Sequence, residues 1–561
     1  MDQRPLIVQS DKTILLATDS AVYHEIRDFV ARFAELERSP EHFHTYRISP
    51  VSLWNAASAG TTPRDILQGL MAYSRYPVPP NIAVEIEEQM SRYGSLQLVR
   101  RGTELVLSSP DGALLRRVAR NPSLSKVLAD RVDDGFAVPV LMRGKLKVVL
   151  LKLGWPVEDL AGYTPGTPLT MGLRERTLAG VPFSLRGYQR DAAEVFHAGG
   201  SERGGSGVIV LPCGSGKTMV GMGAMAQLQR HTLILTTGIS AARQWLRELR
   251  DKTTLKDEEM GEYTGLKKEV RPVTVTTYQT LSFRKKKTEP FPHYDLFTTL
   301  DWGLIIYDEV HLLPAPIFRI AAEIQARRRL GLTATLVRED GREGEVFSLI
   351  GPKRYDVPWK DLERAGWIAG ALCYEIRLDL PADEEEDYFA HAPRRQLRIA
   401  SSNPAKDEVV KRLLDRHRND KVLIIGFYLD QLRRISVRYD LPLILGDTAQ
   451  GKRDALYDAF RRGEVRCLVV SKVGNFAIDL PEANVAIQVS GTFGSRQEEA
   501  QRLGRILRPK QDGSSARFYT LITRRTADEE FAANRQLFLT EQGYRYYIVR
   551  AEELDLLDEL P

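Results

Sequence analysis

Two short stretches of this chain carry residue types spaced for chemistry. The first is Gly207 to Thr218, which reads Gly-Val-Ile-Val-Leu-Pro-Cys-Gly-Ser-Gly-Lys-Thr. Val208 to Leu211 form the apolar run of a buried strand, a glycine-rich turn follows, and a helix is expected to begin near Lys217. Gly214 and Gly216, on either side of Ser215, let backbone N–H groups approach phosphate oxygens closely. The start of the helix adds a partial positive charge facing the same anion. Lys217 can reach the β- and γ-phosphates, and the Thr218 hydroxyl can ligate magnesium. The general pattern G-x-x-x-x-G-K-[ST] wants glycine where Leu211 stands, so only its G-x-G-K-T core is intact. The second stretch is Trp302 to His311, an apolar strand that ends in the adjacent carboxylates Asp308 and Glu309. Asp308 would hold magnesium, directly or through water, and Glu309 would polarise the attacking water. His311 stands where nucleotide state can be passed to neighbouring elements. The chemistry these residues would suit is hydrolysis of ATP with magnesium.

Further candidates flank these two. Gln189 lies about 25 residues before the phosphate loop, and its amide can both donate to and accept from the edge of adenine. Thr333-Ala334-Thr335 can link the acid pair to a moving neighbour, or be an ordinary polar turn. Thr236-Thr237 and Thr277 follow apolar strands and would lie on the edge of an open α/β sheet where ligands bind. Hydroxyl and N–H groups there suit a sugar–phosphate backbone. Near the C-terminus, Gln501, Arg505 and Arg508 are four and three residues apart and share one helix face. That face is either an amphipathic basic helix or a pair of arginine fingers for phosphates held elsewhere.

The elements that must position these residues are legible as alternating strands and helices, the pattern of a parallel sheet. One series holds the phosphate loop. A second opens at Lys421–Phe427 and continues through Cys467–Lys472. The 561 residues are too many for one core and suggest three to five domains. A hydrophobic content of 43% and charged content of 27% fit a globular protein. No apolar run is long enough to span a bilayer, and the N-terminus lacks a signal-peptide layout. The three cysteines are too widely spaced to suggest a disulfide framework or zinc site. A reducing, cytoplasmic setting is expected. The net charge of +5 permits a nucleic-acid partner without demanding one.

Before the first series, Val22, Ile26, Phe29, Val30, Phe33 and Leu36 predict a helix over about 20–37. A second helix should start at the N-cap Thr62, with Pro63 first and Asp65 closing a capping box. A third holds Ile82, Val84, Ile86 and Met90. Leu96–Val99 and Glu104–Leu107 predict a hairpin around Arg101-Gly102. Phe136–Met142 and Leu146–Leu151 look like strands, and 162–168 is a turn-rich linker. This third reads as an α+β interaction unit or as a winged-helix layout.

Together these residues resemble the superfamily two helicases and, more narrowly, the XPB family of ATP-dependent DNA translocases. The narrower resemblance rests on Asp308-Glu309-Val310-His311 and on Thr333–Val337 running into Arg338-Glu339-Asp340, similar to the family's R-E-D element. It rests also on Ser471–Gly474 with Asp479–Val485, and on Gln501–Arg508. It covers about 185–520 strongly. Pro5–Ser10 and Leu53-Trp54 look like the N-terminal domain of bacterial members. The resemblance implies two RecA-like lobes that close on ATP and magnesium, bind DNA across a shared surface and step 3′ to 5′. It places Arg186, Gln189, Gly474, Asp479 and Gln501 at the nucleotide, Arg505 and Arg508 as arginine fingers, and Arg338, Glu339 and Asp340 at strand opening. Gly187 departs from the proline of the related Q-motif, and Asn475–Ile478 is less polar than the family sequence.

The domain layout that follows is 1–95 helical interaction domain, 96–170 damage-recognition-like α+β domain, 171–375 first lobe and 405–545 second lobe. A short thumb-like insert is expected over 376–404, and an acidic tail over 546–561. Arg394, Arg395 and Arg398 of the insert are basic, but Asp383–Asp387 would repel phosphate. Arg284–Lys287 is either a solvated loop or a DNA backbone contact. The expected function is a DNA helicase acting in nucleotide-excision repair on forked, single-stranded or duplex DNA, with a nuclease or transcription partner. The alternatives are a duplex translocase without strand separation and an ATP-switched assembly protein.

Overall fold

The computed structural model describes residues 4–38, 42–102, 104–139, 142–161, 166–200, 204–212, 214–283, 292–293, 296–312, 328–334, 346–347, 349–368, 370–471, 483–490, 515–529, 532, 539 and 545–559. By compactness the chain divides into two units near Val357/Pro358.

The first unit opens with a sheet that the sequence pattern did not reveal. Strands β1 (Leu6–Val8), β2 (Thr13–Ala17), β3 (Glu35–Arg38) and β4 (Phe43–Arg47) stand in the order β1-β2-β4-β3. The helix expected over 20–37 is only α1 (Tyr23–Val30). Its C-terminal part turns and becomes β3, because sheet pairing overrides local helical spacing. Three helices cover the sheet: α2 (Pro50–Ser58), α3 (Pro63–Tyr73) and α4 (Pro80–Arg92). The α3 start is as expected: Thr62 accepts from the Asp65 N–H at 3.2 Å, and Asp65 accepts from the Thr62 N–H at 2.9 Å. Leu6, Ile14, Ile26, Leu53, Ile66 and Ile86 form the core.

Next comes a five-stranded sheet built from β5 (Leu96–Arg101), β6 (Glu104–Ser108), β7 (Arg131–Val132), β8 (Gly135–Val138) and β9 (Val157–Asp159), in the order β7-β8-β6-β5-β9. The β5–β6 hairpin turns at Gly102, whose φ of 60° suits glycine. Helix α5 (Gly112–Ala119) starts on Asp111, whose carboxylate accepts two backbone N–H bonds. Leu146–Leu151, expected as a strand, lies in helix α6 (Arg143–Lys152). A short apolar run does not discriminate the two states, and here Leu146 and Leu150, one helical turn apart, are the buried pair.

The first lobe is a seven-stranded, wholly parallel sheet: β10 (Ser206–Val210), β11 (Thr232–Thr236), β12 (Met260–Tyr263), β13 (Val273–Thr277), β14 (Leu304–Asp308), β15 (Arg328–Thr333) and β16 (Lys353–Asp356). Their order is β12-β13-β11-β14-β15-β10-β16. The central strands are buried along their length, as expected of strands covered on both faces. Helices α7 (Gly187–His197), α8 (Lys217–Leu228), α9 (Ile239–Lys252) and α10 (Tyr278–Ser282) belong to this lobe.

The second unit holds another seven-stranded parallel sheet: β17 (Ala371–Leu378), β18 (Val422–Gly426), β19 (Leu443–Ile444), β20 (Cys467–Ser471), β21 (Val485–Gln488), β22 (Ala516–Thr523) and β23 (Arg545–Arg550), in the order β19-β20-β18-β21-β22-β17-β23. The expected division at 375/376 therefore cuts through β17, which pairs with β22 and β23 along its length. Helices Ala382–Ala390 and Pro393–Ser401 fill the segment expected as an insert. They are joined to the second sheet, since the Thr523 hydroxyl donates to the Ala400 carbonyl at 2.6 Å and the Tyr388 hydroxyl accepts from the Ala527 N–H at 3.1 Å. The tail is the 3-10 segment Ala551–Glu559. Its Leu554 is buried in the core of this unit.

Candidate active site

All strands of the first sheet run the same way, so their C-terminal ends share one edge. The phosphate loop, Thr236, Thr277, Asp308 and Thr333 all follow or end those strands. Such an edge is where open α/β sheets bind ligands.

The phosphate loop leaves β10 with Leu211 tied to the next strand, its N–H bonded to the Thr333 carbonyl at 2.9 Å. Gly214 and Gly216 have φ of 79° and 82°, a region that side-chain-bearing residues rarely adopt. Gly216 has a second reason to be glycine: a Cβ there would lie 2.7 Å from Gln189 Nε2. The Ser215 hydroxyl donates back to the Pro212 carbonyl at 2.6 Å. Lys217 and Thr218 open α8.

Glu309 follows β14 with φ of 50°, an uncommon conformation for a side-chain-bearing residue. Lys217 Nζ lies 3.4 Å from one oxygen of Glu309, and His311 Nδ1 lies 3.5 Å from the other. The same His311 nitrogen is 2.6 Å from the Thr333 hydroxyl. Thus Lys217, Glu309, His311 and Thr333 form one chain of contacts, joining four of the residues singled out from the sequence. Ala334, next to Thr333, is buried.

Asp308 has partners that sequence reasoning missed. The Trp245 indole N–H donates to Asp308 Oδ2 at 2.9 Å, and the Tyr278 hydroxyl donates to the Asp308 carbonyl at 2.8 Å. An aromatic residue on an amphipathic helix reads as core, and nothing in its spacing reveals the bond. Burial first, and then the neighbouring Glu309 charge, pushes the Asp308 carboxyl up to about 6, against the opposing effects of Trp245 and Lys217.

Gln189 is buried. Its carbonyl oxygen accepts the Arg186 N–H at 3.0 Å at the start of α7, so the amide braces that turn against the phosphate loop. Two other candidates have hydroxyls engaged within the lobe. Thr236 is fully buried and its hydroxyl lies against the carbonyls of Gly238 and Thr276 at 3.2 and 3.1 Å. The Thr277 hydroxyl caps α10, accepting from the Thr280 N–H at 3.1 Å. Neither hydroxyl is turned outward to a phosphate. Thr237 is half-buried. Thr335, Arg338, Glu339, Asp340, Gly474, Asp479, Gln501, Arg505 and Arg508 lie outside the described residues.

The oxygen donors fit magnesium. A carboxylate at a strand end and a hydroxyl in the first turn of α8 are hard donors, and magnesium bound beside a nucleotide needs only one or two protein ligands. Among the described residues there is no group of three or more His, Cys, Asp or Glu side chains that would suggest a dedicated metal cage. No helix among them is long and apolar enough to cross a membrane.

Two parallel sheets of one strand order, the first carrying a glycine loop with lysine and threonine beside a strand ending in Asp-Glu, define a helicase-type ATPase of two RecA-like lobes. Residues 362–559 match the ERCC3/RAD25/XPB C-terminal helicase family, 182–338 match the type III restriction enzyme res subunit, and 6–133 match a family described as helicase conserved C-terminal domain. The chain is 54% identical over 556 residues to the DNA 3′-5′ helicase XPB of Mycobacterium tuberculosis, covering 99% of both chains. It is 33% identical over 570 residues to the general transcription and DNA repair factor IIH helicase/translocase subunit XPB of Antonospora locustae, covering 98% of this chain and 82% of that one. It is 34% identical over 551 residues to the putative DNA 3′-5′ helicase Rad25 of Halobacterium salinarum, covering 97% and 85%. The chain belongs to the XPB family.

Proposed function

We propose that this protein is a DNA-dependent ATPase that moves 3′ to 5′ along DNA, separates its strands and serves nucleotide-excision repair. The observation that carries the reading is the convergence of Lys217, Glu309, His311 and Thr333 within a few ångströms on the ligand-binding edge of the first sheet. ATP is the substrate. Its phosphates would be cradled by the N–H groups at Gly214–Lys217, with the Lys217 ammonium on the transferred group. Thr218 and Asp308 would hold magnesium, which when bound polarises the phosphate oxygens as a Lewis acid. Glu309 would orient the attacking water and accept its proton, while Lys217 would spread the charge that develops on the γ-phosphoryl oxygens. His311 joins Glu309 to Thr333 and so connects the water-orienting carboxylate with the end of β15. Arg505 and Arg508 would act as arginine fingers, making hydrolysis depend on lobe closure.

The test is strand separation by the purified chain on duplexes with a single-stranded 3′ tail, a 5′ tail or blunt ends. Unwinding from the 3′ tail, dependent on ATP, supports the proposal. Translocation on blunt duplex with no strand released moves the assignment to a duplex translocase. ATP binding without either activity moves it to an assembly factor that works with a partner.

A further inference from the structure

The residue that grips the Asp308 carboxylate belongs to none of the nucleotide-binding segments. Trp245 lies on α9 and is 1% exposed. Its indole N–H reaches Asp308 Oδ2 at 2.9 Å. The opposite rim of the ring meets α8, the helix that begins with Lys217 and Thr218. Gly221 of that helix makes room for it, since a Cβ there would lie 2.5 Å from Trp245 Cη2 and 3.5 Å from Ile306 Cδ1. One side chain therefore touches the helix that follows the phosphate loop and the strand that carries the acid pair. The Tyr278 hydroxyl fixes the main chain of Asp308 independently, through its carbonyl. The carboxylate torsion of an aspartate is otherwise soft. The Trp245 N–H gives Oδ2 a side-chain donor and the Glu309 N–H gives the carboxylate a backbone one, and together they set which way it is turned.

We propose that Trp245 is a positioning residue for the metal-binding carboxylate. By pinning Oδ2 it fixes how the carboxylate is turned toward a metal, and it ties that orientation to α9, whose first turn follows the Thr236-Thr237 loop. Partners in the outer shell of a metal site commonly act this way, orienting a ligand they do not replace. The inference rests on the assignment of Asp308 as a magnesium ligand.

The test replaces Trp245 in the full chain with 3-benzothienylalanine, which keeps the bicyclic shape and lacks the N–H, and separately with 5-fluorotryptophan, which keeps it. Asp308→Ala is the reference. Binding of a fluorescent, non-hydrolysable ATP analogue is measured in EDTA. Affinity and electron paramagnetic resonance line shape are then measured with Mn²⁺ as the probe metal. The benzothienyl variant is expected to bind nucleotide normally in EDTA, to lose about tenfold in Mn²⁺ affinity and to show an altered line shape. The fluorotryptophan chain should match the wild type. If Asp308→Ala weakens Mn²⁺ binding while the benzothienyl chain retains wild-type affinity and line shape, the role of Trp245 is refuted. If Asp308→Ala itself leaves Mn²⁺ affinity unchanged, the metal assignment fails, and this inference with it.

Discussion

The two lobes carry the same sheet twice. Adding seven to each strand number of the first lobe gives the order of the second, strand for strand. Each lobe also has a lysine–carboxylate pair near the C-terminal edge of its sheet, and the two pairs are built differently. In the first lobe Lys217 faces Glu309 at 3.4 Å, with 10% and 21% of the side chains exposed. In the second, Lys406 meets Asp528 at 2.8 Å with 0% and 3% exposed. The Lys406 ammonium also donates to the carbonyls of Ser401 and Val489, both at 3.1 Å. Three acceptors complete its donor capacity, so this pair is finished structure. The longer, more open pair of the first lobe has groups placed to exchange one partner for another. The same strand order thus carries a fully buried ion pair in one lobe and a partly exposed one in the other.

Breaking each pair should give opposite phenotypes. Glu309→Gln is expected to lower ATP turnover by about 10²–10⁴-fold while nucleotide affinity and thermal stability stay near wild type, read by phosphate release and calorimetry. Lys406→Ala leaves the Asp528 carboxylate buried without its cation. It should cost about 3–5 kcal/mol, seen in denaturant unfolding as early loss of the second lobe. If Lys406→Ala is as stable as the wild type, the contrast between the two pairs is wrong.

A second buried pair sharpens the point outside the lobes. Asp159 meets Arg143 through bonds of 2.6 and 3.0 Å, with Lys147 at 3.4 Å. Burial acts to raise this carboxyl, but Lys147, Arg143 and Arg329 prevail and hold it at about 2, below its ordinary 3.8. A depressed carboxyl stabilises the fold above its unfolded value and loses that contribution as pH falls through the folded one. Stability should therefore drop by roughly 2 kcal/mol between about pH 4.5 and pH 1.5. Asp159→Asn should abolish that component of the acid transition in chemical denaturation. The smallest effect is expected from Thr62→Ala, which removes an exposed cap of α3 and should cost about 1 kcal/mol without altering hydrolysis.

The parts of the fold that the sequence made legible are those with strong local chemistry. The phosphate loop, the strand ending in Asp308-Glu309, the Thr62 cap and the Arg101-Gly102 hairpin each have a pattern tied to one geometry. The N-terminal sheet was hidden because its strands are three to five residues long and the pairing that unites them, β2 with β4, is non-local. Helix α6 was hidden because Leu146–Leu151 is apolar on successive positions, which suits either state. At the site, sequence singled out Lys217, Glu309, His311 and Thr333 separately, and the structure brings them into one chain of contacts. It did not reveal that the hydroxyls of Thr236 and Thr277 are engaged within the lobe, nor that Trp245 and Tyr278 hold Asp308, because those partners are set by packing between elements distant in the chain.

The most direct measurement is steady-state ATP hydrolysis by the full chain, wild type beside Glu309→Gln and Lys217→Ala, without nucleic acid and then with forked DNA, blunt duplex, single-stranded DNA and RNA. The expected result is turnover stimulated by forked or single-stranded DNA and lost in both variants. Turnover that persists in both variants, or that responds to RNA and to no DNA, would contradict the assignment of the first-lobe site as the engine of a DNA helicase.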